Sequence, residues 1–214
     1  MLSNVVATPV ATRTASGEEN MKALIGIAIL GAVVGMTPAR AAEPFALTSP
    51  AFKDGDVWPS KYAGADPSRT NPPCPGENVS PPLAWSNPPP GTKSYALLLQ
   101  DPDGANGLGV YHWIAYDIPT SKTSFAEGEA SKGVNGWVGG KNAIGKTHYF
   151  GPCGPTGHSL HHYVFTMIAT DIEPGKLKPD MTRDELVAEL KGHALAPASI
   201  VGRYTRPDAP AAKP

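Results

Sequence analysis

Short apolar runs bounded by Gly, Pro and Asp dominate the chain. Runs of this length and composition are typical of strands in or near a core. We therefore predict core strands at 94–100, 111–118 and 162–169, and a terminal strand at 199–204. This pattern indicates a mainly β fold.

One segment follows a helical pattern instead. A capping box at Thr182–Glu185 marks the start of a helix. Leu186, Val187 and Leu190 then share one face, and Gly192 supplies a stop. We predict one helix near the C terminus, with its apolar face formed by these three residues.

Two long Gly/Pro segments, 66–90 and 133–157, lie between the predicted elements. Segments of this length are commonly functional in compact domains. With no internal repeat and no second boundary in view, we predict one domain over 42–206 and a flexible tail at 207–214.

Composition and charge exclude several classes of protein. The chain has 214 residues and a formal net charge of −1, which excludes a basic nucleic-acid binder and a charged disordered chain. Its 23 Gly and 24 Pro stay below the roughly 25–30% that marks low-complexity chains. A loop-rich globular domain remains.

The N terminus has the features of a secretory signal. An apolar run begins at Met21 after a polar stretch and closes at Pro38, and Ala39–Ala41 has the small-x-small form that signal peptidases accept. We predict that 1–41 is an N-terminal extension and signal, with initiation at Met21 and cleavage after Ala41. The alternative is a membrane anchor, for which the run is short. The expected product is a periplasmic or secreted protein with no integral membrane anchor.

Export would place Cys74 and Cys153, the two cysteines of the chain, outside the reducing cytoplasm. In an oxidising compartment they can pair, and the closed loop would contribute about 4–5 kcal/mol by the chain-entropy estimate. The residues alone leave three alternatives open: a disulfide, a reactive Cys153, or two buried thiols.

Candidate chemistry lies at the ends of the predicted strands. Asp101 follows directly on the first core strand, and His112 lies within the second, where alternation places it on the face of Ile114 and Tyr116. Each has a structural alternative, because an acid before proline is often a turn residue and a histidine among aromatic residues is often a core residue.

A Gly/Pro loop then enters the third core strand through a histidine pair. Alternation places His161 and Tyr163 on one face and His162 on the other. One acid, two imidazoles and a loop with exposed N–H groups could form a small site for an anion or a phosphorylated head group. A carboxylate bonded to one histidine would keep it more protonated and favour phosphate.

Six motifs cover nearly the whole predicted domain: Ser49–Gly55, Cys74–Trp85, Asp101–Asp103, Tyr111–Trp113, Gly151–Pro155 and His161–Tyr163. In this order they resemble the motifs of phosphatidylethanolamine-binding proteins, most closely the bacterial Raf kinase inhibitor-like branch. The resemblance implies a large central antiparallel sheet packed on a smaller sheet, a C-terminal helix, and a small anion pocket at one edge.

The resemblance also assigns roles to residues. The family's pocket acid corresponds to Asp101, its histidines to His112 and His161, and its nearby tyrosine to Tyr163. The loop that closes the pocket corresponds to Gly151, Pro152, Cys153 and Gly154. In the family this pocket accepts phosphate-like and carboxylate groups, including phosphoethanolamine, and some members inhibit protein kinases. Bacterial members often carry cysteine at both cysteine positions, which supports a disulfide beside the pocket.

Three departures from the family pattern are expected to matter. The segment 104–109 replaces an Ala-Pro continuation and predicts a more flexible rim, and Gly154 replaces a proline, which makes the loop less preorganised. His162 stands where Arg is common, so any contact it makes to an anion should weaken above about pH 7.

Two other kinds of site remain as alternatives. A Cys/His hydrolase would use Cys153 as nucleophile, His161 or His112 as base, and Asp101 as orienting group, and a disulfide would abolish it. A metal site would use Asp101, His158, His161 and His162 as ligands. Because His161 and His162 are adjacent on a strand, however, their side chains point apart and cannot both reach one ion in regular geometry.

We therefore predict an exported binding protein without turnover. His112 and His161 would donate to an anionic head group, and Asp101 would orient an imidazole or receive an ammonium. Tyr163 would shape the wall, and backbone N–H groups of 151–154 would complete a cradle. The expected partner is an anionic small molecule or a phospholipid head group, with no cofactor, metal or nucleic acid.

Overall fold

The computed structural model describes residues 43–65, 74–154, 156 and 159–207. The predicted signal over 1–41, His158, and all but the first residue of the predicted tail lie outside these ranges. Within them the chain forms nine strands, a short 3-10 helix at Ser60–Tyr62, a single turn α1 (Gly104–Gly107) and a helix α2 (Arg183–Leu190). The strands are β1 (Ala46–Thr48), β2 (Asp56–Val57), β3 (Leu83–Ser86), β4 (Ser94–Asp101), β5 (Val110–Pro119), β6 (Ser124–Phe125), β7 (Val138–Gly139), β8 (His161–Thr170) and β9 (Ala194–Tyr204).

These strands make two sheets. A six-stranded sheet has the order β2-β9-β8-β4-β5-β7, and a three-stranded sheet has the order β1-β3-β6. Every pairing is antiparallel except the short one between β2 and β9, which is parallel. The predicted fold class, a large central sheet with a smaller one and a C-terminal helix, is confirmed.

The predicted strands are present, and the last one is longer than predicted. β9 begins at Ala194, five residues before the predicted start, and Pro197 pairs with Ile168 of β8 within it. Its partner on the other side, β2, pairs only with Gly202 and Arg203. Proline is tolerated at Pro197 because this part of β9 has no second neighbouring strand. Ala and Pro have low β propensity, so the sequence did not predict the first residues of the strand.

The two faces of the large sheet bury different cores. An aromatic cluster joins it to the small sheet, and the other face packs against α2. The first cluster includes Trp58, Trp85, Trp113, Phe125 and Phe165, and the second is Ala96, Ile114, Tyr116, Met181, Leu186 and Leu190. Burial on both faces explains why the central strands are continuous apolar runs.

Helix α2 begins with the predicted capping box. The Thr182 backbone N–H donates to Glu185 Oε2 at 2.8 Å, and the Glu185 N–H donates to Thr182 Oγ1 at 3.3 Å. Leu186 and Leu190 are buried, whereas Val187 is 36% exposed, so the prediction that Val187 shares their face is wrong. One helical residue turns the side chain by about 100°, which carries Val187 off this narrow buried stripe.

Candidate functional site

The predicted site residues converge at one edge of the large sheet. Asp101 ends β4, and His112 and His161 lie near the starts of its antiparallel neighbours, β5 and β8. The end of a strand lies beside the starts of its antiparallel neighbours, so these side chains meet. They surround a pocket of about 300 Å³, whose lining is Asp101, Gly104, Ala105, Val110, His112, Ala143, Ile144, Phe150, Cys153, Gly154, His161 and Tyr163.

Asp101 is the buried anchor of this pocket. Its Oδ2 accepts from His161 Nδ1 at 2.8 Å, and its Oδ1 accepts from the backbone N–H groups of Asp103 and Gly104, each at 3.0 Å. Both oxygens are therefore satisfied although the residue is only 3% exposed. Because an ionised carboxylate only accepts, the proton lies on His161 Nδ1, and the imidazole is held in one tautomer and orientation.

His112 reaches the pocket through an irregularity in β5. Leu99 pairs with Trp113 and Gln100 with Tyr111, so His112 is one extra residue between the two pairs. Such a bulge redirects a side chain. Its ring packs edge-on against Tyr163 with centroids 5.3 Å apart. The prediction that His112 shares the face of Ile114 and Tyr116 is wrong, because the bulge interrupts the alternation.

The environment of His112 determines its protonation. Its Nδ1 lies 2.8 Å from the carbonyl oxygen of Phe150, which can only accept, so Nδ1 carries a proton. Burial lowers the pKa of His112 below its usual value, and the Phe150 carbonyl and the Asp101 charge only partly oppose this. At neutral pH the ring is therefore neutral, and its Nε2 is an acceptor that becomes a donor only on protonation.

Tyr163 forms an uncharged part of the pocket wall, beside His112. The residue is 2% exposed, and burial, with the nearby Asp101 charge acting in the same direction, raises the pKa of its hydroxyl far above the physiological range. Its face is as predicted, since it packs with His112 on the side where His161 and Cys153 also line the pocket.

The predicted backbone cradle is only partly available. The Gly151 N–H donates to Asn78 Oδ1 at 2.8 Å, and Pro152 has no N–H and accepts from Gly64 at 2.7 Å. The first half of the loop thus uses its polar groups to dock on neighbouring backbone, as buried peptide groups must. The prediction that Gly151 donates to a ligand is wrong, and only Cys153 and Gly154 of the four loop residues line the pocket.

Two asparagines missed by the sequence analysis hold the segments around the pocket. The Asn142 amide donates to the carbonyl oxygens of His112 at 3.2 Å and His148 at 3.0 Å, and its Oδ1 accepts from two N–H groups of its own turn. Asn78 docks the loop from the other side through Gly151. An asparagine within a Gly/Pro segment is the signal that could have found both, because its side chain hydrogen-bonds nearby backbone.

Cys74 and Cys153 form a disulfide, with Cα atoms 5.5 Å apart. The bond ties the segment before Asn78 to the pocket loop. In this state Cys153 carries no thiol, which leaves the hydrolase alternative without its nucleophile.

His162 lies outside the pocket. Its Nδ1 and its backbone N–H both contact Asp103 Oδ2, at 2.9 and 2.8 Å, and about half of the side chain is exposed. These contacts lower the pKa of Asp103. Among the residues described, no three His, Cys, Asp or Glu side chains are grouped to hold a metal ion.

With this geometry established, comparisons identify the family. The family model "Phosphatidylethanolamine-binding protein" matches residues 48–205. The chain belongs to this family. The predicted resemblance is thus confirmed.

Relatives and solved structures of this phosphatidylethanolamine-binding protein family include proteins from several bacteria. A UPF0098 protein of Aquifex aeolicus is 35% identical, covering 74% of this chain and 86% of its own length. The Mycobacterium tuberculosis protein LppC, whose name describes it as a candidate lipoprotein, is 40% identical over 78% of this chain and 76% of its own length. The Escherichia coli YbcL structure is 30% identical with a TM-score of 0.68, covering 77% of this chain and 99% of its own length.

Proposed function

We propose that this protein is an exported binding protein whose pocket holds phosphate-like groups, such as phosphate or the head group of phosphoethanolamine. The observation that carries the proposal is the convergence of His112, His161 and Asp101 on one pocket of about 300 Å³. Two imidazoles oriented through their Nδ1 atoms can, once protonated, direct Nε2–H donors to one oxyanion as charge-assisted hydrogen bonds.

Binding of an anion would be coupled to a proton. His112 is neutral at pH 7 because burial lowers its pKa, and its Nε2 can donate only after protonation. An anion in the pocket stabilises the charged imidazole, so affinity should rise as pH falls. The Asp101 carboxylate offers a contact for an ammonium group such as that of phosphoethanolamine.

Recognition without turnover is the role proposed here. The disulfide of Cys153 supports it, because the sulfur that would serve as nucleophile in the hydrolase alternative is bonded to Cys74. A free-thiol count with and without reductant tests this point. Rapid labelling of Cys153 in the protein as isolated would favour the hydrolase alternative.

Export is supported by two observations of different kinds. The segment 1–41 has the pattern of a secretory signal, and LppC is named as a candidate lipoprotein. Of the helices in the described ranges, none is long and apolar enough to span a bilayer. Fractionation of cells that make the full chain, with the N terminus of the product sequenced, tests export and cleavage after Ala41.

Calorimetric titration tests the pocket directly. Phosphate and phosphoethanolamine should bind saturably, and sulfate, whose charge stays fixed, should bind more tightly at pH 6 than at pH 8. Replacement of both His112 and His161 by Ala should abolish binding in a protein that stays folded by circular dichroism. Unchanged affinity in that variant would contradict the proposal.

A further inference from the structure

Arg206 is a buried cation behind the pocket wall. The residue is 9% exposed, and its Nη1 lies 3.7 Å from Sγ of Cys153, which lines the pocket. Its backbone forms a parallel bridge with Thr156, just beyond the pocket loop. A guanidinium stays charged at every physiological pH. Arg206 therefore places a permanent positive charge next to this wall.

A narrow cleft connects Arg206 to the residues of the pocket. Arg206 lines it together with Gly154, His161 and Tyr163, and these three residues also line the pocket. The cleft has a volume of about 10 Å³, close to the minimum for one water molecule, so it holds no ligand of its own. The guanidinium thus lies one layer of side chains away from the place where an anion would bind.

The other side chains described around the pocket do not supply it with a fixed positive charge. Asp101, the acidic residue of the lining, is hydrogen-bonded to His161, and the ring of His112 is neutral at pH 7. His162, which replaces a common Arg of the family, is directed to Asp103 outside the pocket. Arg206 supplies a permanent positive charge on the side of Cys153 and Gly154.

We infer that Arg206 makes the pocket select doubly charged tetrahedral oxyanions, the charge state of a phosphomonoester, over singly charged ones, the charge state of a phosphodiester. This inference rests on the proposed function and adds the charge class of the ligand. A fixed cation attracts a ligand in proportion to the ligand's charge, and water is largely excluded at a buried position. A dianion therefore gains twice as much from Arg206 as a monoanion of similar shape.

Sulfate and methyl sulfate provide the test, because both are tetrahedral and their charges of −2 and −1 do not change with pH. The oxidised full chain is titrated with each at pH 7 and constant ionic strength. Arg206→Met should weaken methyl sulfate binding by roughly tenfold and sulfate binding by roughly a hundredfold, the effect of one charge about 10 Å away at intermediate dielectric. Arg206→Lys should keep most of the preference for sulfate.

Arg203→Met is the matched control. Arg203 lies three residues before Arg206, on β9, and its Nε donates to the carbonyl oxygen of Gly55 at 2.6 Å, away from the pocket lining. Both affinities should stay within about twofold of wild type in this variant, since its charge is screened and distant.

Four results would overturn the inference. Equal weakening of both anions by Arg206→Met would show that Arg206 only positions Cys153 and the loop. Unchanged binding of both would show that its charge has no effect. A wild-type protein with no preference for sulfate would contradict the inference even if the Met variant failed to fold. A wild-type protein that binds neither anion would remove the proposed function as well, which distinguishes the two failures.

Discussion

Two neighbouring Asp–His pairs join the same two segments of the chain and have opposite surroundings. Asp101 meets His161 at 2.8 Å, and Asp103 meets His162 at 2.9 Å. The side chains of the first pair are 5% and 12% exposed, and those of the second are 43% and 51% exposed. Nearly equal contact distances therefore accompany very different solvent access.

The difference arises from the alternation of β8 and from the end of β4. His161 and His162 are consecutive and point to opposite sides, and Asp101 is the last residue of its strand whereas Asp103 lies beyond it. Water competes with the outer pair and screens it, so that pair contributes little stability. The inner pair is shielded and is held by two further backbone donors, so it can fix an imidazole for binding.

The two pairs should differ most in how much stability is lost when the acid of each is removed. Asp101→Ala should lower the free energy of unfolding by about 3–5 kcal/mol, because it leaves the His161 imidazole, the buried Gly104 N–H and the partly buried Asp103 N–H without an acceptor. Asp103→Ala should cost less than about 1 kcal/mol. Urea denaturation measures both changes when the dependence of the unfolding free energy on urea concentration is the same in both variants.

Equal destabilisation by the two alanine variants would contradict this contrast. It would mean that water reaches Asp101 as freely as it reaches Asp103. The control is Asp171→Ala, which removes the acid of another exposed pair, with His193 at 2.7 Å.

The two pairs should also differ in how much phosphate affinity is lost when the histidine of each is removed. His161→Ala should weaken phosphate binding by roughly 10- to 100-fold, the loss of one charge-assisted hydrogen bond. His162→Ala should change it by less than about twofold, because this side chain lies outside the pocket lining. Calorimetry measures both affinities, and a larger loss in His162→Ala than in His161→Ala would reverse the assignment.

Sequence reasoning predicted the site because its parts are strand-end features. Asp101, His161 and Tyr163 follow directly from strand positions and alternation, and the family motifs pointed to the same residues. Alternation separated His161 from His162, but the contact of His162 with Asp103 was not predicted. Alternation fails where an extra residue enters a strand, and for that reason the face of His112 was predicted wrongly.

The remainder of the site depends on long-range contacts that local patterns do not encode. The Gly151 N–H would be open to a ligand if Asn78, far away in sequence, did not accept from it. Arg206 is the residue at which the predicted domain ends, and its bridge to Thr156 and its contact with Cys153 place it behind the pocket. Such placements follow from tertiary packing.

The smallest expected effect is the pH dependence of the outer pair. Hydrogen bonds from the His162 backbone and ring lower the pKa of Asp103 in the folded protein. A depressed acid pKa adds stability that is present above the unfolded-state pKa of about 3.9 and is lost as pH falls through the folded-state value. The free energy of unfolding of the wild type should therefore be about 0.5 kcal/mol higher than that of Asp103→Asn at pH 6. This difference should shrink below about pH 4. Urea denaturation from pH 3 to pH 6 measures it; a difference that grows toward low pH would show that Asp103 is stabilised in its protonated form and that the outer pair is not an ionic contact.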